Sequence, residues 1–256
     1  MKKLIVLIAV FAAASTMEKA VAQDAKEIAY KVYNRKAPKD GESDMTMTLV
    51  NKKGSKRVRN IHQFFIDLGE TEKQVMFFTA PADVKNTSFM NWSYDDASKD
   101  DDQWLYLPAL KKVKRISSSS KDNDFMGSDF TYEDMEKRSP ERDNHTFIAN
   151  ETLDGEAVWV VEATPKEEEQ YSKKKAWISK EKEIPVKVEF YDEDGELLKI
   201  LTITEIKKMN DYWIVAKQEM KNVQKNHSTW IVLSNITVDK GLGEDKFTQR
   251  EMERGL

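Results

Sequence analysis

The sequence predicts a mainly β protein built as one antiparallel meander, curled into a barrel or half-barrel. Three observations support this class. Apolar residues recur at every second position from Met45 onward, as in half-buried strands. Short turn signals separate these runs, the clearest being Asp194-Gly195. Only two helical patterns interrupt them, which excludes the repeated helical crossovers of a parallel sheet.

The amino terminus resembles a secretory leader. Lys2 and Lys3 precede an apolar run at 4–14, and Ala20-Val21-Ala22 provides an A-x-A cleavage pattern before Gln23. We therefore expect a signal peptide at 1–22 and a single domain at 23–256. The expected location is the periplasm, reached by export and cleavage.

Composition narrows the function classes. The chain has no cysteine, so a lipid anchor on cysteine, thiol chemistry and cysteine zinc sites are excluded. Loss of residues 1–22 would remove three basic residues and one acidic residue, which leaves 38 basic against 44 acidic residues. The mildly acidic balance of −6 gives no support to nucleic-acid binding. We expect a soluble, non-lipidated protein with no cofactor.

The elements can be placed in order along the chain. A helix is predicted at 24–35 by apolar Ile28, Val32 and Tyr33 on one side, and Pro38 ends it. Outside the central segment we count about eleven strands, and the charged tail at 241–256 is expected to be only partly ordered. The predicted strands lie at 45–49, 58–66, 73–79, 87–92, 146–151, 157–163, 174–179, 186–192, 196–206, 213–220 and 228–238.

The central segment, residues 103–137, carries the most distinctive pattern. Two short strand-like runs at 104–107 and 113–116 are followed by a polar loop at 117–124. Residues 128–135 are predicted to form a short central lid helix, and the whole candidate lid extends over 117–137 with Gly127 as its hinge. Large apolar side chains at the end of so polar a loop either fill a core or border a cavity.

The strings WLYLPALKKVKRISSS and FMGSDFTYEDM, at 104–119 and 125–135, resemble the signature of LolA-like outer membrane lipoprotein-sorting proteins. They are most similar to the branch that accompanies lipid-exporting transporters. The resemblance implies an incomplete antiparallel β-barrel with helices inside or across its mouth. It also implies that the protein holds acyl chains of a lipid or lipoprotein in transit, between an inner-membrane transporter and an outer-membrane acceptor.

The candidate binding residues come from this motif and the strand that approaches it. Several strands carry apolar groups on both faces, so one face needs a second partner, either a helix or a ligand. Flexible methionines adapt to acyl chains. The predicted ligand-binding wall comprises Phe89, Trp92, Trp104, Tyr106, Phe125, Met126 and Phe130.

Other readings of the same residues remain open. Lys111, Lys112, Lys114 and Arg115 either form a basic rim for anionic headgroups or protect an edge strand. No HExxH or G-x-S-x-G motif occurs, so neither a catalytic nor a metal residue is assigned. We keep three hypotheses: a carrier of acyl chains, a non-catalytic scaffold of an envelope transporter, and a hydrolase of envelope lipids or glycans.

Overall fold

A computed structural model describes residues 24–256, and the predicted signal peptide lies outside this range. The first element within this range is helix α1, Ala25–Tyr33. The side chain of Asp24 accepts hydrogen bonds from the amides of Lys26 and Glu27, which satisfies donors that a helix start leaves unpaired. Ala25 and Ile28 face the sheet and are buried. No helix within residues 24–256 is long and apolar enough to cross a membrane.

The rest of the chain forms a single curved sheet of thirteen antiparallel strands. Their bounds, in chain order from β1 to β13, are Asp40–Val50, Lys56–Asp67, Thr71–Ala80, Ser88–Tyr94, Asp102–Leu107, Lys112–Arg115, Asp143–Leu153, Glu156–Pro165, Lys173–Ser179, Pro185–Tyr191, Leu197–Met209, Tyr212–Asn222 and His227–Val238.

The strand order places the middle of the chain at the two edges of the sheet. From β1 the sheet runs outward through consecutive strands to β6, and from β13 it runs back to β7. The pairing of β1 with β13 joins the two halves, as in the contact of Met47 with Ile231. Strands β6 and β7 do not pair with each other, so the sheet stays open. This strand order confirms the predicted antiparallel meander.

The eleven strands expected outside the central segment are present, and the central segment adds two more. The short runs in the central segment also join the sheet, because Trp104 pairs with Arg115 and Tyr106 pairs with Val113 in the hairpin of β5 and β6. Pro108 ends β5 after Leu107 and begins the turn between these two strands.

The predicted central helix is absent. Residues 128–135 form bends and a single 3-10 turn, Glu133–Met135. The backbone there makes hydrogen bonds that a helix would forbid: the amide of Asp129 donates to the hydroxyl of Thr229, and the amide of Glu133 donates to the carbonyl of Lys121. Because these tertiary partners satisfy the backbone, a helix of two turns has no advantage.

Both faces of the sheet are covered. We call the face under α1 and the central segment the inner face, and the opposite one the outer face. Adjacent residues on one strand point to opposite faces: Met76 and Phe78 belong to the inner core, whereas Val75 and Phe77 belong to the outer core.

The carboxyl-terminal segment covers the outer face, which corrects the expectation of a partly ordered tail. Helix α2, Gln249–Arg254, begins at Thr248, whose side chain accepts a hydrogen bond from the amide of Glu251. Phe247 and Met252 are fully buried against the outer core. The hydroxyl of Ser88 donates to the carbonyl of Met252 at 3.0 Å, which fixes α2 on β4.

Candidate functional site

The seven residues predicted to form one binding wall lie on opposite faces of the sheet. Phe89, Phe125, Met126 and Phe130 pack in the inner core. Trp92, Trp104 and Tyr106 pack in the outer core beneath the carboxyl-terminal segment. The alternation of side chains along β4 and β5 causes this division, because Phe89 and Trp92 are an odd number of residues apart.

The central segment fills part of the inner face. The ring of Phe125 is fully buried, and its centroid lies 5.0 Å from that of Phe89 and 5.5 Å from that of Tyr132. Gln103 donates a hydrogen bond to the carbonyl of Tyr132 at 2.8 Å. These contacts make the segment a plug over β3 to β5 rather than a free lid.

A buried charge network ties the plug to the other half of the sheet. Arg138 pairs with Asp143 at 2.6 Å, with Glu169 at 2.8 Å and with Glu133 at 3.1 Å. Removal of one partner from such a network lowers the stability of the fold, because the remaining partners are charged and shielded from water. The plug is therefore fixed at both ends.

An opening on the inner face lies beside the plug, under α1. It is a cavity of about 620 Å³, bounded by α1, by strands β8 to β10 and by the turn between β2 and β3. None of the seven predicted wall residues lines it. Its volume falls within the range of about 300–1,000 Å³ usual for small-ligand sites.

Small and β-branched side chains make the cavity apolar inside. Val161, Ala176 and Val188 occupy directly paired positions on β8, β9 and β10, so their side chains stand in one row on the inner face. Ala29 and Val32 of α1 close the cavity from above. The space exists because these side chains are short: larger groups at the same positions would fill it.

Charged groups border the mouth of the cavity. Arg35, at the end of α1, donates to the carbonyl of Trp213 at 3.1 Å and has no carboxylate within 4 Å among residues 24–256. Burial lowers the pKa of Arg35 and raises the pKa of Glu72, which also lines the mouth. Lys137 lies 3.6 Å from both Glu72 and Asp95. An apolar interior under a mixed-charge mouth suits an amphipathic guest.

Sequence reasoning missed this cavity because its lining has no large aromatic group except Tyr33. Phenylalanine, tryptophan and methionine were the residues expected to line a binding site, and here they fill cores. A usable signal was the pair of alanines in strands β8 and β9, Ala163 and Ala176, since alanine is uncommon in strands. Within residues 24–256 no cluster of histidine and carboxylate side chains is arranged to hold a metal ion.

Comparison with known proteins shows the family. A family model described as an uncharacterized protein matches residues 70–254. A crystal structure from Vibrio parahaemolyticus, described as an outer membrane lipoprotein-sorting protein domain, shares 36% sequence identity, covering 90% of this chain and 98% of that chain, with a TM-score of 0.85. The chain therefore belongs to the LolA-like family of outer membrane lipoprotein-sorting proteins.

Two further structures agree with this fold. A DUF1329 family protein from Desulfovibrio piger is 29% identical, with a TM-score of 0.84, and the match covers 89% of this chain and 97% of that one. A LolA superfamily protein from Nitrosomonas europaea is 18% identical, with a TM-score of 0.68 over 91% of this chain and 100% of that chain, which supports the fold alone. A comparison with curated proteins found no match.

Proposed function

We propose that this protein is a periplasmic carrier that sequesters the acyl chain of a lipid or lipoprotein in the cavity under α1. One observation carries the proposal: a cavity of about 620 Å³ with an apolar interior and a charged mouth opens on the inner face of the sheet. The lipoprotein-sorting description of the Vibrio parahaemolyticus relative points to the same class of cargo.

Sequestration replaces water around the acyl chain by protein methyl groups. Each buried methylene contributes about 0.8 kcal/mol. A chain of about sixteen carbons gains on the order of 10 kcal/mol before ordering costs are subtracted. A cavity that takes only part of the chain gains proportionally less, so the cargo stays exchangeable with a competing apolar site.

Helix α1 is the element that would admit and release the guest. Polar contacts at its rim hold it down, including the hydrogen bond from the Tyr33 hydroxyl to Asp95 at 2.7 Å and the ion pair of Lys26 with Glu141 at 2.8 Å. These contacts lie at the protein surface, where water can replace them at small cost. Of the residues named from the sequence, the inner-face group would meet cargo only if the plug also moves. The outer-face group, Trp92, Trp104 and Tyr106, would do so only if the carboxyl-terminal segment moves, and both roles stay predictions.

The donor and the acceptor follow from the proposed role. An inner-membrane lipid-exporting transporter would load the cavity, and an outer-membrane acceptor would empty it. The acceptor must offer a more favourable apolar site, because the carrier itself supplies no energy for release.

The scaffold hypothesis has one observation in its favour. Phe125 and its neighbours fill the inner face over β3 to β5, as a protein without cargo would require. The scaffold hypothesis does not explain the cavity under α1.

Native mass spectrometry of the protein purified gently from its host tests the proposal. We expect a co-purifying lipid or acylated peptide of defined mass, and displacement of a fluorescent fatty acid by that molecule. Preparations that repeatedly carry no guest and take up no fluorescent fatty acid would reject the carrier and favour the scaffold. Turnover of the extracted lipid into smaller products would instead favour the hydrolase.

A further inference from the structure

A second, polar groove lies at the end of the sheet remote from the cavity mouth. It forms where the β1–β2 turn and the β12–β13 turn meet the backbone at Gly127, and its volume is about 620 Å³. An adjoining cavity of about 500 Å³ shares Gly127 and His227 and extends along β2 to Lys56 and Arg57. The cavity under α1 instead involves the β2–β3 turn, at the opposite end of β2.

Four cations of the β1–β2 hairpin border this groove without a counter-charge. Lys52, Lys53, Lys56 and Arg57 are exposed, and none has a carboxylate within 4 Å among the residues that the structure describes. From the facing hairpin, Lys225 adds a fifth cation, which lies 3.6 Å from Asp124. Like charges gathered this closely repel one another, and a bound anion would relieve that repulsion.

The acidic groups of the groove do not cancel this charge. Asp124 and Asp129 are the acidic residues that line it. Asp129 is buried, and its carboxylate accepts hydrogen bonds from the ring of His227 and from the hydroxyl of Thr229, both at 2.7 Å. Its charge is therefore directed away from the opening and toward β13.

The same contacts orient a sixth side chain, that of His227, for binding. His227 uses Nδ1–H for the bond to Asp129, so Nε2 is the ring nitrogen that remains to meet a ligand, and in this tautomer it accepts a hydrogen bond from a protonated phosphate oxygen. Asp129 itself is fixed by its own amide, which donates to the Thr229 hydroxyl at 3.0 Å. An imidazole ring that is held through one nitrogen by a buried carboxylate is pre-oriented. This lowers the entropy cost of binding a ligand through the other ring nitrogen.

We propose that this groove is a binding site for a phosphate group, carried by a lipid headgroup or present as free phosphate. A phosphate offers several strong acceptor oxygens and up to two negative charges, which matches a set of lysines, an arginine and an imidazole better than a single carboxylate does. The site is separate from the acyl cavity, so it does not depend on the proposed carrier function.

The test measures binding of inorganic phosphate and of vesicles to the whole protein. One arm follows the His227 ring resonances during titration with inorganic phosphate. The other arm measures co-sedimentation with phosphatidylglycerol vesicles and with phosphatidylcholine vesicles at constant salt. A variant with Lys52→Gln, Lys53→Gln, Lys56→Gln and Arg57→Gln removes the hairpin cations. Its matched control replaces three exposed lysines and one exposed arginine away from the groove, Lys85, Lys208, Lys240 and Arg250, also by glutamine.

Two results would indicate binding: a saturable shift of the His227 resonances by phosphate, or co-sedimentation with either vesicle. Either result supports the site if the hairpin variant binds about tenfold more weakly and the control binds as the parent does. The responding arm shows whether the source is free phosphate or a headgroup. An equal loss in the control would mean unspecific charge attraction and would overturn the proposal. Absence of binding in both arms would overturn it too, whether or not the protein retains acyl cargo.

Discussion

The hydroxyl of Tyr33 donates a hydrogen bond of 2.7 Å to the carboxylate of Asp95, which joins the last turn of α1 to the connection between β4 and β5. The ammonium of Lys137 lies 4.7 Å from the centre of the same ring and 3.6 Å from Asp95. Partial burial of Tyr33 and its bond to Asp95 raise the pKa of the phenol. The contact therefore persists at physiological pH and holds α1 across the cavity.

Removal of this hydrogen bond should loosen α1. For Tyr33→Phe we expect the amides of α1 to exchange with deuterium about fivefold faster, because one hydrogen bond contributes about 1 kcal/mol. An acyl probe should also dissociate faster. Tyr94→Phe is the control, since it removes a similar bond to Asp102, at 2.8 Å, away from α1. Equal exchange rates in both variants would show that Tyr33 does not restrain the helix.

A large side chain in the cavity should displace the guest. Ala163 lines the cavity on β8, and Ala163→Trp should weaken binding of a fluorescent fatty acid about tenfold, because it excludes at least two methylenes at about 0.8 kcal/mol each. Ala157→Trp is the control, at an exposed position on the same strand. Unchanged affinity in a folded Ala163→Trp protein would place the acyl chain elsewhere.

The plug should be a major source of stability. Phe125→Ala removes a fully buried ring that packs against Phe89 and Tyr132, so we expect a loss of about 3–5 kcal/mol in the free energy of unfolding by urea. Ile148→Ala, at an exposed position, should change it by no more than about 0.5 kcal/mol. A small loss in Phe125→Ala would mean that the plug is weakly held and can open for cargo.

The free energy of unfolding should decrease as the pH rises from about 4.5 to about 7. Burial raises the pKa of Glu136 to about 7, although Lys121 lies 2.5 Å away. Between its ordinary pKa of about 4.5 and pH 7 the folded protein holds a proton that the unfolded chain has released. The free energy of unfolding should therefore decrease by on the order of 1 kcal/mol from pH 5 to pH 8.

Denaturant titrations of Glu136→Gln across that pH range should show a flatter profile, whatever the absolute stability of the variant. Glu141→Gln is the control, because hydrogen bonds from Lys26 and Tyr30 lower the pKa of Glu141 to about 2, outside the window. A Glu136→Gln profile as steep as that of the parent would assign the slope to another group.

The carboxyl-terminal helix should stabilise the whole sheet. Met252→Ala creates a void between α2 and the outer core, and we expect a loss of about 2–5 kcal/mol in a thermal or urea unfolding experiment. Arg250→Ala, on the exposed side of the same helix, is the control. Equal, small effects of both substitutions would mean that α2 is only loosely attached.

Much of the fold could be predicted because its signals are local. Alternation along β1 and the turn at Asp194-Gly195 indicate antiparallel neighbours without knowledge of distant residues. The central helix was predicted wrongly because bonds to groups outside it, from Asp129 to Thr229 and from Glu133 to Lys121, decide that conformation. The cavity was missed because its existence depends on short side chains, such as Ala163 and Ala176, meeting across several strands.

Residues close together along the chain suffice to identify an antiparallel β protein of the LolA-like kind. Which apolar surface is filled and which is open depends on contacts that form only when the chain folds. Phe125 reaches Phe78 and Phe89 across the inner face, and Met252 reaches β4 across the outer face. These contacts join segments far apart in sequence, and no local pattern specifies which of the two faces receives which cover.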